Sequence, residues 1–289
     1  MEKRVIAIVV TYNPDIVEFE KNLNTYINQV DKILILDNSD NSSIKKELAK
    51  TITKYRKVQL IDLKENKGIA YAQNIGYKYA LENNFEYVLE MDQDSFLPKN
   101  YVTKLVEQMD ILLKKGIKVA GIGGIAFDFK EKKFYETFKD KNFLIKVDKT
   151  LSSGFLVNLK YINKIGFKDE NLFLDFVDWE WCWRAYNKGF LIFKDKRLKI
   201  FHRMGLDSRK IFFIRFSIPS PIRHYYQFRN PLLLIRYKHV PNKDKFILIL
   251  KMIIKLVLYP IILDNRKKRL KYMLKGIWDG IKGKKGKFY

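Results

Sequence analysis

Two aspartates one residue apart follow an apolar run in the first third of the chain. The run is Tyr87–Met91, and the two acids are Asp92 and Asp94. Because side chains alternate along an extended chain, both carboxylates can leave the strand end in the same direction. Mg²⁺ and Mn²⁺ bind one or two such carboxylates together with phosphate oxygens of a substrate. Taken alone, the same pattern more often marks a solvated turn.

A second acidic stretch, Asn171–Ala185, is unusually rich in tryptophan. Within it Asp178 is expected to cap a helix, and Glu180 and Arg184 are then i,i+4 partners. The neighbouring aromatic side chains make an apolar setting, which raises the pKa of a carboxyl group and suits a general base near neutral pH. The alternative is a helix cap beside a surface ion pair.

Strands and helices alternate through the first half of the chain. Apolar, β-branched runs predict strands, and apolar residues at helical spacing predict helices between them. The expected strands are 4–10, 32–36, 58–63 and 87–91, with helices at 15–28, 42–55 and 69–83. This order predicts an α/β fold with a mostly parallel central sheet flanked by helices.

Polar residues stand at the carboxyl end of each expected strand. They are Thr11 with Asn13, Asp37 with Asn38, Asn66 with Gly68, and Asp92 with Asp94. Ligands of parallel sheets bind beyond the carboxyl ends of the strands, so these clusters predict a ligand site there.

The first strand–helix turn argues against a dinucleotide site. Thr11–Pro14 contains no glycine that would let a pyrophosphate approach the helix. The Gly121–Gly124 segment lacks the required spacing and is interpreted as a strand with close backbone packing. Neither a Walker A sequence nor a nucleophile elbow at Ser152–Gly154 is present.

The middle of the chain continues the alternation less regularly. We expect a helix at 100–115, a strand at 118–129, a β-excursion or flap over 130–149, and a return to the core at 150–157. A further strand within 191–202 ends at His202. A histidine at a strand end, in a chain with 3 histidines, is a candidate metal ligand or phosphate contact.

Composition narrows the class of protein. The 289 residues are 47% apolar and 15% aromatic, enough for a large folded domain. The single Cys182 excludes a disulfide framework and suits a reducing compartment. The apolar run after Met1–Arg4 is too short for a signal peptide, and the sequence has no uninterrupted apolar window of about 20 residues for a membrane span.

The net charge of +24 is concentrated near the C-terminus. Residues 203–289 hold 22 Lys/Arg and 4 Asp/Glu (+18), leaving 34 and 28 (+6) before them. The apolar segment 246–263 carries Lys251 and Lys255 four apart and is expected to break at Pro260. We therefore expect a catalytic domain at 1–205 and a basic helical region at 206–289 that lies on an anionic membrane surface. A solvated basic face, a helical packing unit and a homodimer arm are the alternatives.

These motifs resemble glycosyltransferase family 2, the inverting GT-A enzymes, and within it the bacterial rhamnosyltransferases. The resemblance covers residues 4 to about 230 in the family's order. The matching stretches are Val9–Pro14, Leu36–Ser39, Asn66–Ala70 with Asn74 and Gly76, Met91–Ser95, Ser153–Gly154, Asp175–Trp181 with Arg184, His202 with Gly205, and Tyr225–Asn230.

The resemblance implies a role for each matching residue. Thr11, Asn13, Asp37, Asn66, Gly68, Asn74 and Asp92 would bind the nucleotide; Asp92, Asp94 and His202 would hold Mn²⁺ or Mg²⁺; and Asp178 would be the catalytic base. Acceptor contacts or their supports would be Ser153, Gly154, Asp175, Trp179, Glu180, Trp181, Arg184, Tyr226 and Arg229. Many relatives have Glu-Asp where this chain has Val177-Asp178, so Asp175 and Glu180 are alternatives for the base.

The leading hypothesis is a metal-dependent inverting glycosyltransferase, peripheral on the cytoplasmic face of a bacterial cell membrane. Its donor would be a dTDP-linked sugar such as dTDP-rhamnose, or a UDP-sugar, and its acceptor a lipid-linked or surface-polysaccharide glycan. A noncatalytic sugar-nucleotide binder is one alternative. A nucleic-acid-binding protein is another, but no recognisable binding module accompanies the basic tail.

Overall fold

The computed structural model describes residues 4–128, 133–134, 136, 138, 140–201, 207–211 and 214–289. Its strands are β1 (Val5–Thr11), β2 (Lys32–Asp37), β3 (Val58–Asp62), β4 (Tyr87–Asp92), β5 (Val119–Asp128), β6 (Lys133–Phe134), β7 (Leu144–Val147), β8 (Phe155–Asn158), β9 (Leu191–Phe201), β10 (Asp207–Ile211) and β11 (Ile214–Ile218). Its helices are α1 (Ile16–Leu23), α2 (Ser42–Ile52), α3 (Ile69–Glu82), α4 (Tyr101–Lys114), α5 (Ile162–Ile165), α6 (Val177–Asn187), α7 (Arg223–Leu234), α8 (Asn242–Ile262) and α9 (Arg266–Ile281).

Nine of the described strands form one central sheet in the order β3-β2-β1-β4-β8-β5-β9-β7, with β6 beside β5. The strands β3, β2, β1 and β4 are parallel, as are β5 and β9, whereas β8 and β7 run against their neighbours. The predicted α/β fold with a mostly parallel sheet is therefore confirmed. The remaining two strands, β10 and β11, pair as a separate antiparallel hairpin.

The sheet is buried on both faces, which explains why its strands are continuously apolar. In β1, Val5, Ala7 and Val9 pack into one cluster with residues of α1 and α4. The alternate residues Ile6 and Ile8 pack into the opposite cluster with residues of α3 and α6. The site-bearing strand ends are thus fixed by two hydrophobic layers.

The Gly121–Gly124 segment lies in β5, where close packing was expected. A Cβ atom on Gly121 would stand 2.2 Å from the ring of Phe155, and one on Gly124 would stand 2.5 Å from the Leu198 carbonyl oxygen. The expected β-excursion contributes β6 and β7, and residues 129–132, 135, 137 and 139 lie outside the described part.

Some expected helix ends are wrong. Helix α1 ends at Leu23 rather than Asn28, since the chain turns there and the Thr25 hydroxyl donates to the Asn22 carbonyl. Helix α8 continues through Pro260 to Ile262 instead of breaking. Pro260 lies within the last turn, so its missing N–H removes a single helical hydrogen bond.

The C-terminal helices pack against the helix that carries Asp178. One hydrophobic cluster joins Val177 and Trp183 of α6 with Leu233, Leu234 and Leu248 of α7 and α8. The expected boundary at 205/206 touches residues 202–206, which lie outside the described part, and the division into two domains stays a prediction. Helix α6 nevertheless lies between the sheet and the C-terminal helices.

Candidate active site

The carboxyl ends of β1, β2 and β4 meet at one edge of the sheet. Val10 is in register with Asp92 of β4, and Thr11 is in register with Asp37 of β2. Because neighbouring strands lie about 4.8 Å apart, the polar side chains that follow them share one surface. This is the arrangement that the strand-end pattern predicts.

The first group at this edge is built around a buried carboxylate. Oδ1 of Asp37 accepts hydrogen bonds from Thr11 Oγ1 at 2.8 Å, from Ser39 Oγ at 2.6 Å and from the Ser39 N–H at 3.1 Å. No hydrogen bond from another described residue reaches Oδ2 of Asp37. Thr11 therefore orients Asp37 and leaves one carboxylate oxygen for a ligand.

The loop after β1 is braced by the loop after β2. Asn13 has a left-handed backbone (φ 44°), its N–H donates to Ser39 Oγ at 2.7 Å, and its amide donates to Asp40 at 2.6 Å. Its carbonyl oxygen accepts from the Asn41 N–H at 3.1 Å. The side chain of Asn13 thus supports the loop, and its predicted nucleotide contact stays a prediction.

A glycine turn after β3 completes this side of the site. Asn38 accepts from the Lys67 N–H at 3.0 Å and donates to the Gly68 carbonyl at 3.2 Å, while Asn66 accepts from the Gly68 N–H at 3.0 Å. Gly68 has φ 87°, and a Cβ atom there would lie 2.6 Å from Phe173. Only glycine fits this backbone and this close approach.

The Asp92/Asp94 pair lies at the end of β4, partly exposed. The N–H of Asp92 donates to Ser153 Oγ at 3.3 Å, and the N–H of Gly154 donates to the Glu90 carbonyl at 2.8 Å. Ser153 and Gly154 therefore support the strand end. Two partly exposed carboxylates of one turn suit a hard divalent cation whose remaining ligands are water and phosphate oxygens.

A third protein ligand for this cation is not found among the described residues, where no group of three or more His, Cys, Asp or Glu side chains could hold a metal. The remaining predicted ligand, His202, lies outside the described residues.

Asp178 lies in the first turn of α6, and its predicted role as the helix cap is wrong. Phe176 occupies the cap position with a left-handed backbone (φ 67°), which follows two further left-handed residues, Phe173 and Asp175. This sharp turn places the helix start over the sheet edge. Oδ1 of Asp178 accepts from the Trp179 N–H at 2.9 Å.

Burial raises the pKa of Asp178 to about 6. The Lys168 ammonium and the Trp179 N–H oppose this rise in pKa, and the carboxylates of Glu90 and Asp92 add to it. Asp178 therefore belongs to the same charge cluster as Asp92. A carboxylate with this pKa can accept a proton near neutral pH, as expected for a general base.

A buried ion pair lies beneath Asp178, and sequence reasoning missed it. The Lys168 ammonium is 3.0 Å from Glu90 Oε1, and both side chains are 1% exposed. The same Oε1 accepts from the Tyr77 hydroxyl at 2.7 Å, and Lys168 Nζ lies 4.9 Å from the ring centre of Trp181. One available signal was Glu90 itself, an acid inside an otherwise apolar strand on the same face as Asp92.

Asn74 acts on this ion pair from α3. Its carbonyl oxygen accepts from the Lys168 N–H at 2.9 Å, and its amide donates to the Lys168 carbonyl at 3.0 Å and to Glu170 at 2.7 Å. Both ends of the amide are thereby occupied. The structure gives Asn74 a positioning role toward Lys168, and the predicted ribose or diphosphate contact stays a prediction.

Glu180 lies on a different face of α6 from Asp178. At about 100° per residue, the two side chains point about 200° apart around the helix. Glu180 binds the Arg184 guanidinium through two contacts of 2.8 Å, and its oxygen is also 2.8 Å from His239 Nε2. The pair is buried, with the Glu180 side chain 2% exposed, so the alternative of a surface pair is wrong.

Trp181 and Trp179 differ in their surroundings. Trp181 is buried and its ring N–H donates to the Gly166 carbonyl at 2.9 Å. Trp179 is partly exposed and packs edge-on against Phe176 and Trp183. Trp181 is therefore a core residue, whereas Trp179 keeps part of its surface exposed.

Helix α7 holds the turn that precedes Asp178. The Arg229 guanidinium donates to the carbonyls of Leu172 at 2.9 Å and Asn171 at 3.2 Å. The Asn230 amide donates to the carbonyls of Leu172 (3.0 Å), Leu174 (2.7 Å) and Asp175 (3.1 Å). Because Arg229 is fully buried, it braces the turn, which is the supporting one of its two expected roles, and any acceptor contact stays a prediction.

Two further contacts fix the same turn. The ring of Tyr226 stacks on Phe173 with centres 5.0 Å apart, and Tyr226 is likewise buried. The carboxylate of Asp175 accepts hydrogen bonds from Nε and Nη2 of Arg223 at 2.6 to 3.0 Å. Of the residues expected near an acceptor, Asp175 is thus paired, while Tyr226 is a packing residue.

The sheet edge thus combines a partly exposed carboxylate pair with a separate carboxylate of raised pKa, a combination that suits an enzyme acting on a charged substrate. The family model described as Glycosyl transferase family 2 matches residues 6–158. The dTDP-rhamnosyl transferase RfbF of Shigella flexneri is 35% identical over 98% of this chain and 97% of its own length. The chain belongs to glycosyltransferase family 2, and the expected resemblance to bacterial rhamnosyltransferases is confirmed.

More distant relatives agree with the fold. The low-salt glycan biosynthesis hexosyltransferase Agl10 of Haloferax volcanii is 24% identical over 78% of this chain and 73% of that protein. The crystal structure of S. aureus TarS residues 1–349 with UDP-GlcNAc superposes with a TM-score of 0.57 at 13% identity, covering 96% of this chain and 81% of TarS. GalNAc-T7, solved with UDP, GalNAc and Mn²⁺, gives 0.58 at 12% identity, covering 97% of this chain and 56% of GalNAc-T7. The predicted GT-A fold is confirmed.

Proposed function

We propose that this glycosyltransferase moves L-rhamnose from dTDP-rhamnose to a glycan acceptor, with inversion at the anomeric carbon. The observation that carries the proposal is the 35% identity to a dTDP-rhamnosyl transferase along almost the whole of both chains. The strand-end cluster supports it, because Asp37 and the glycine turn at Gly68 offer polar groups to a nucleotide at the sheet edge.

Two groups of carboxylates have different tasks in the proposed reaction: Asp178 accepts a proton, and Asp92 and Asp94 would hold the cation. Asp178 takes the proton of the acceptor hydroxyl as that oxygen attacks the anomeric carbon, and the bond to the nucleoside diphosphate breaks. One attack from the face opposite the leaving group inverts the anomeric centre. With a pKa of about 6, Asp178 is ionised at neutral pH and accepts this proton.

The departing diphosphate gains negative charge, which must be stabilised. Asp92 and Asp94 would hold Mn²⁺ or Mg²⁺, and such a cation offsets the charge that grows on the leaving group. Ser153 and Gly154 keep the end of β4 in place for this purpose through their hydrogen bonds to Asp92 and Glu90.

The exposed residues of helix α8 are evidence for attachment to a membrane surface. We propose that this surface is the cytoplasmic face and that the acceptor is lipid-linked. The outer face of α8 exposes large apolar side chains: Phe246, Leu250, Ile253, Ile254, Val257 and Ile261. Helix α9 adds an exposed stripe of Leu274, Trp278 and Ile281 among lysines. Exposed apolar stripes beside basic residues bind anionic interfaces. None of the helices in the described part is long and apolar enough to cross a bilayer.

Thermal unfolding with sugar nucleotides tests the donor and the cation together. Ligand binding to the folded state raises the Tm by mass action. We expect dTDP-rhamnose to raise the Tm of the wild type only when Mn²⁺ or Mg²⁺ is present, and Asp94→Ala to lose this shift. A larger shift with a UDP-sugar would replace rhamnose as the donor sugar, and an undiminished shift in Asp94→Ala would remove Asp94 from the cation site.

Vesicle co-sedimentation tests the membrane surface. We expect the wild type to sediment with phosphatidylglycerol vesicles and to stay in solution with phosphatidylcholine vesicles. Val257→Ser combined with Ile261→Ser removes apolar area from α8 and should weaken sedimentation severalfold. The matched control is Val17→Ser on α1, where the side chain is 79% exposed and belongs to another surface. Equal sedimentation of both variants would refute the role of α8.

A further inference from the structure

A group of cations lies between α8 and the candidate active site. Lys255 of α8 is half-buried, and Lys251, one turn earlier, is exposed. Arg223 is the first residue of α7, and its side chain is 44% exposed. None of these three residues has a part in the proposed transfer reaction.

Ring contacts place Lys255 beside the start of α7. His224, which follows Arg223, packs edge-on against Tyr259 of α8 with ring centres 5.3 Å apart. Lys255 lies one helical turn before Tyr259, and its Nζ is 5.7 Å from that ring centre. Burial lowers the pKa of His224 to about 3, and the positive charges of Arg269 and Lys255 add to this decrease. Lys255 therefore lies beside the start of α7, in the space next to Arg223, whose positive charge acts on it.

This space adjoins the catalytic carboxylates. The carboxylate of Asp175 raises the pKa of Arg223 against the effect of burial, and Asp92 and Asp178 add to the rise. Burial lowers the pKa of Lys255, and the positive charges of Lys251 and Arg223 lower it further. The carboxylate of Asp175 opposes this decrease. Arg223 is thus close enough to the site to interact with both groups of carboxylates.

The charges of this space do not balance. Asp175 is occupied by Arg223 through Nε and Nη2, and Nη1 of Arg223 has no hydrogen-bond partner among the described residues. Within the same part of the chain Lys255 forms no ion pair. A half-buried ammonium without a counterion is costly, and an anion with several oxygens would relieve that cost.

We propose that Arg223 and Lys255 form a phosphate-binding subsite at the α8 side of the active site. The guanidinium supplies planar paired donors and the lysine a point charge, the two usual means of holding a phosphate. The phosphate belongs either to the donor diphosphate or to the phosphate that joins a glycan acceptor to its lipid. The second source, which rests on the proposed function, fits the position, because Lys251 continues the cationic line toward the exposed apolar face of α8.

The test measures the binding of two probes to the 289-residue protein by isothermal titration calorimetry. The first is dTDP with Mn²⁺, and the second is dodecyl phosphate added after the protein has been saturated with dTDP and also without it. Dodecyl maltoside, which has the same alkyl chain and no phosphate, reports the purely apolar part of binding. The variants are Lys255→Gln, Arg223→Gln and Arg223→Lys, with Lys267→Gln on the exposed face of α9 as the matched control.

We expect Lys255→Gln and Arg223→Gln each to weaken dodecyl phosphate binding roughly tenfold, the scale of one lost charge-assisted hydrogen bond. Arg223→Lys should recover part of the loss, and dodecyl maltoside binding should not change. If dTDP leaves these results unaltered, the phosphate is that of the acceptor. If dTDP displaces dodecyl phosphate and its own affinity falls in both variants, the phosphate is that of the donor.

Unchanged affinities for both probes in Lys255→Gln, with the Tm of the wild type, would overturn the subsite. Lys255→Gln removes no ion pair, so misfolding is not expected to obscure this result. A failure of the proposed function can be told apart from a failure of the subsite. If the proposed function is wrong, dTDP-rhamnose will produce no Tm shift in the wild type, and the titration with dodecyl phosphate alone will still test the subsite.

Discussion

Replacement of Asp178 by asparagine separates proton transfer from every other task of the site. Asparagine has the size of aspartate and keeps the oxygen that accepts from the Trp179 N–H at 2.9 Å, so the first turn of α6 should be preserved. The amide cannot take a proton from the acceptor. We expect kcat to fall about 10²–10⁴-fold, or about 3–5 kcal/mol in barrier, with unchanged donor affinity.

The pH dependence gives the same carboxylate a second signature. With a pKa of about 6, Asp178 is mainly ionised at neutral pH and mainly protonated about one unit below its pKa. Since only the ionised form accepts a proton, kcat/KM should fall roughly tenfold between about pH 7 and pH 5. The residual activity of Asp178→Asn should lack this acidic decline.

The assay is dTDP release from dTDP-rhamnose at each pH, with the Tm recorded under the same conditions to exclude unfolding. Asp175→Asn and Glu180→Gln serve as controls, because both remove a neighbouring carboxylate. Full turnover in Asp178→Asn, together with a large loss in either control, would transfer the role of base to that residue. A wild-type profile without a decline above about pH 5 would refute the argument from burial.

Three further changes test how the site is supported. Gly68→Ala should lower the free energy of unfolding in urea by at least about 2 kcal/mol and weaken dTDP binding, since its Cβ would meet Phe173 at 2.6 Å. Gly116→Ala is the control, because Gly116 also has a positive φ but open space around it, so its loss of stability measures the backbone strain alone. Arg229→Ala should cost about 3–5 kcal/mol by leaving buried carbonyls unpaired, and a lysine there should not restore the Tm; a loss under about 1 kcal/mol would contradict the bracing role. Glu90→Gln removes the carboxylate that pairs with the buried Lys168 ammonium and should cost about 3–5 kcal/mol in urea unfolding; a loss under about 1 kcal/mol would contradict the importance of this ion pair.

The strands and the strand-end site follow from local pattern. Continuous apolar runs such as Val5–Val10 occur because both faces of the sheet are covered, and that burial is visible in the sequence. The polar residues after each run must then meet at one edge, which is a consequence of parallel pairing. Thr11, Asp37 and Asp92 were therefore predictable together without knowledge of the register.

The supports of the site depend on contacts that no local pattern shows. Lys168 pairs with Glu90 across 78 positions, and neither neighbourhood indicates the other. Arg229 belongs to a matching motif and was expected as an acceptor contact or its support, and the sequence could not show that it binds backbone carbonyls. A guanidinium that recognises a ligand and one that recognises a turn are the same in sequence, because both present paired N–H donors.

The bonds from α7 to the turn at 171–175 have a consequence for protein engineering. Chimeric enzymes are commonly built by joining the catalytic part of one relative to the tail of another, which assumes that the two parts are interchangeable modules. Here the carbonyls before α6 are held by Arg229 and Asn230, so a foreign tail would reposition Asp178 as well as replace the proposed membrane-binding surface. Residues 171–187 and 223–289 are better exchanged as one unit, with the crossover placed in the sheet rather than between the expected domains.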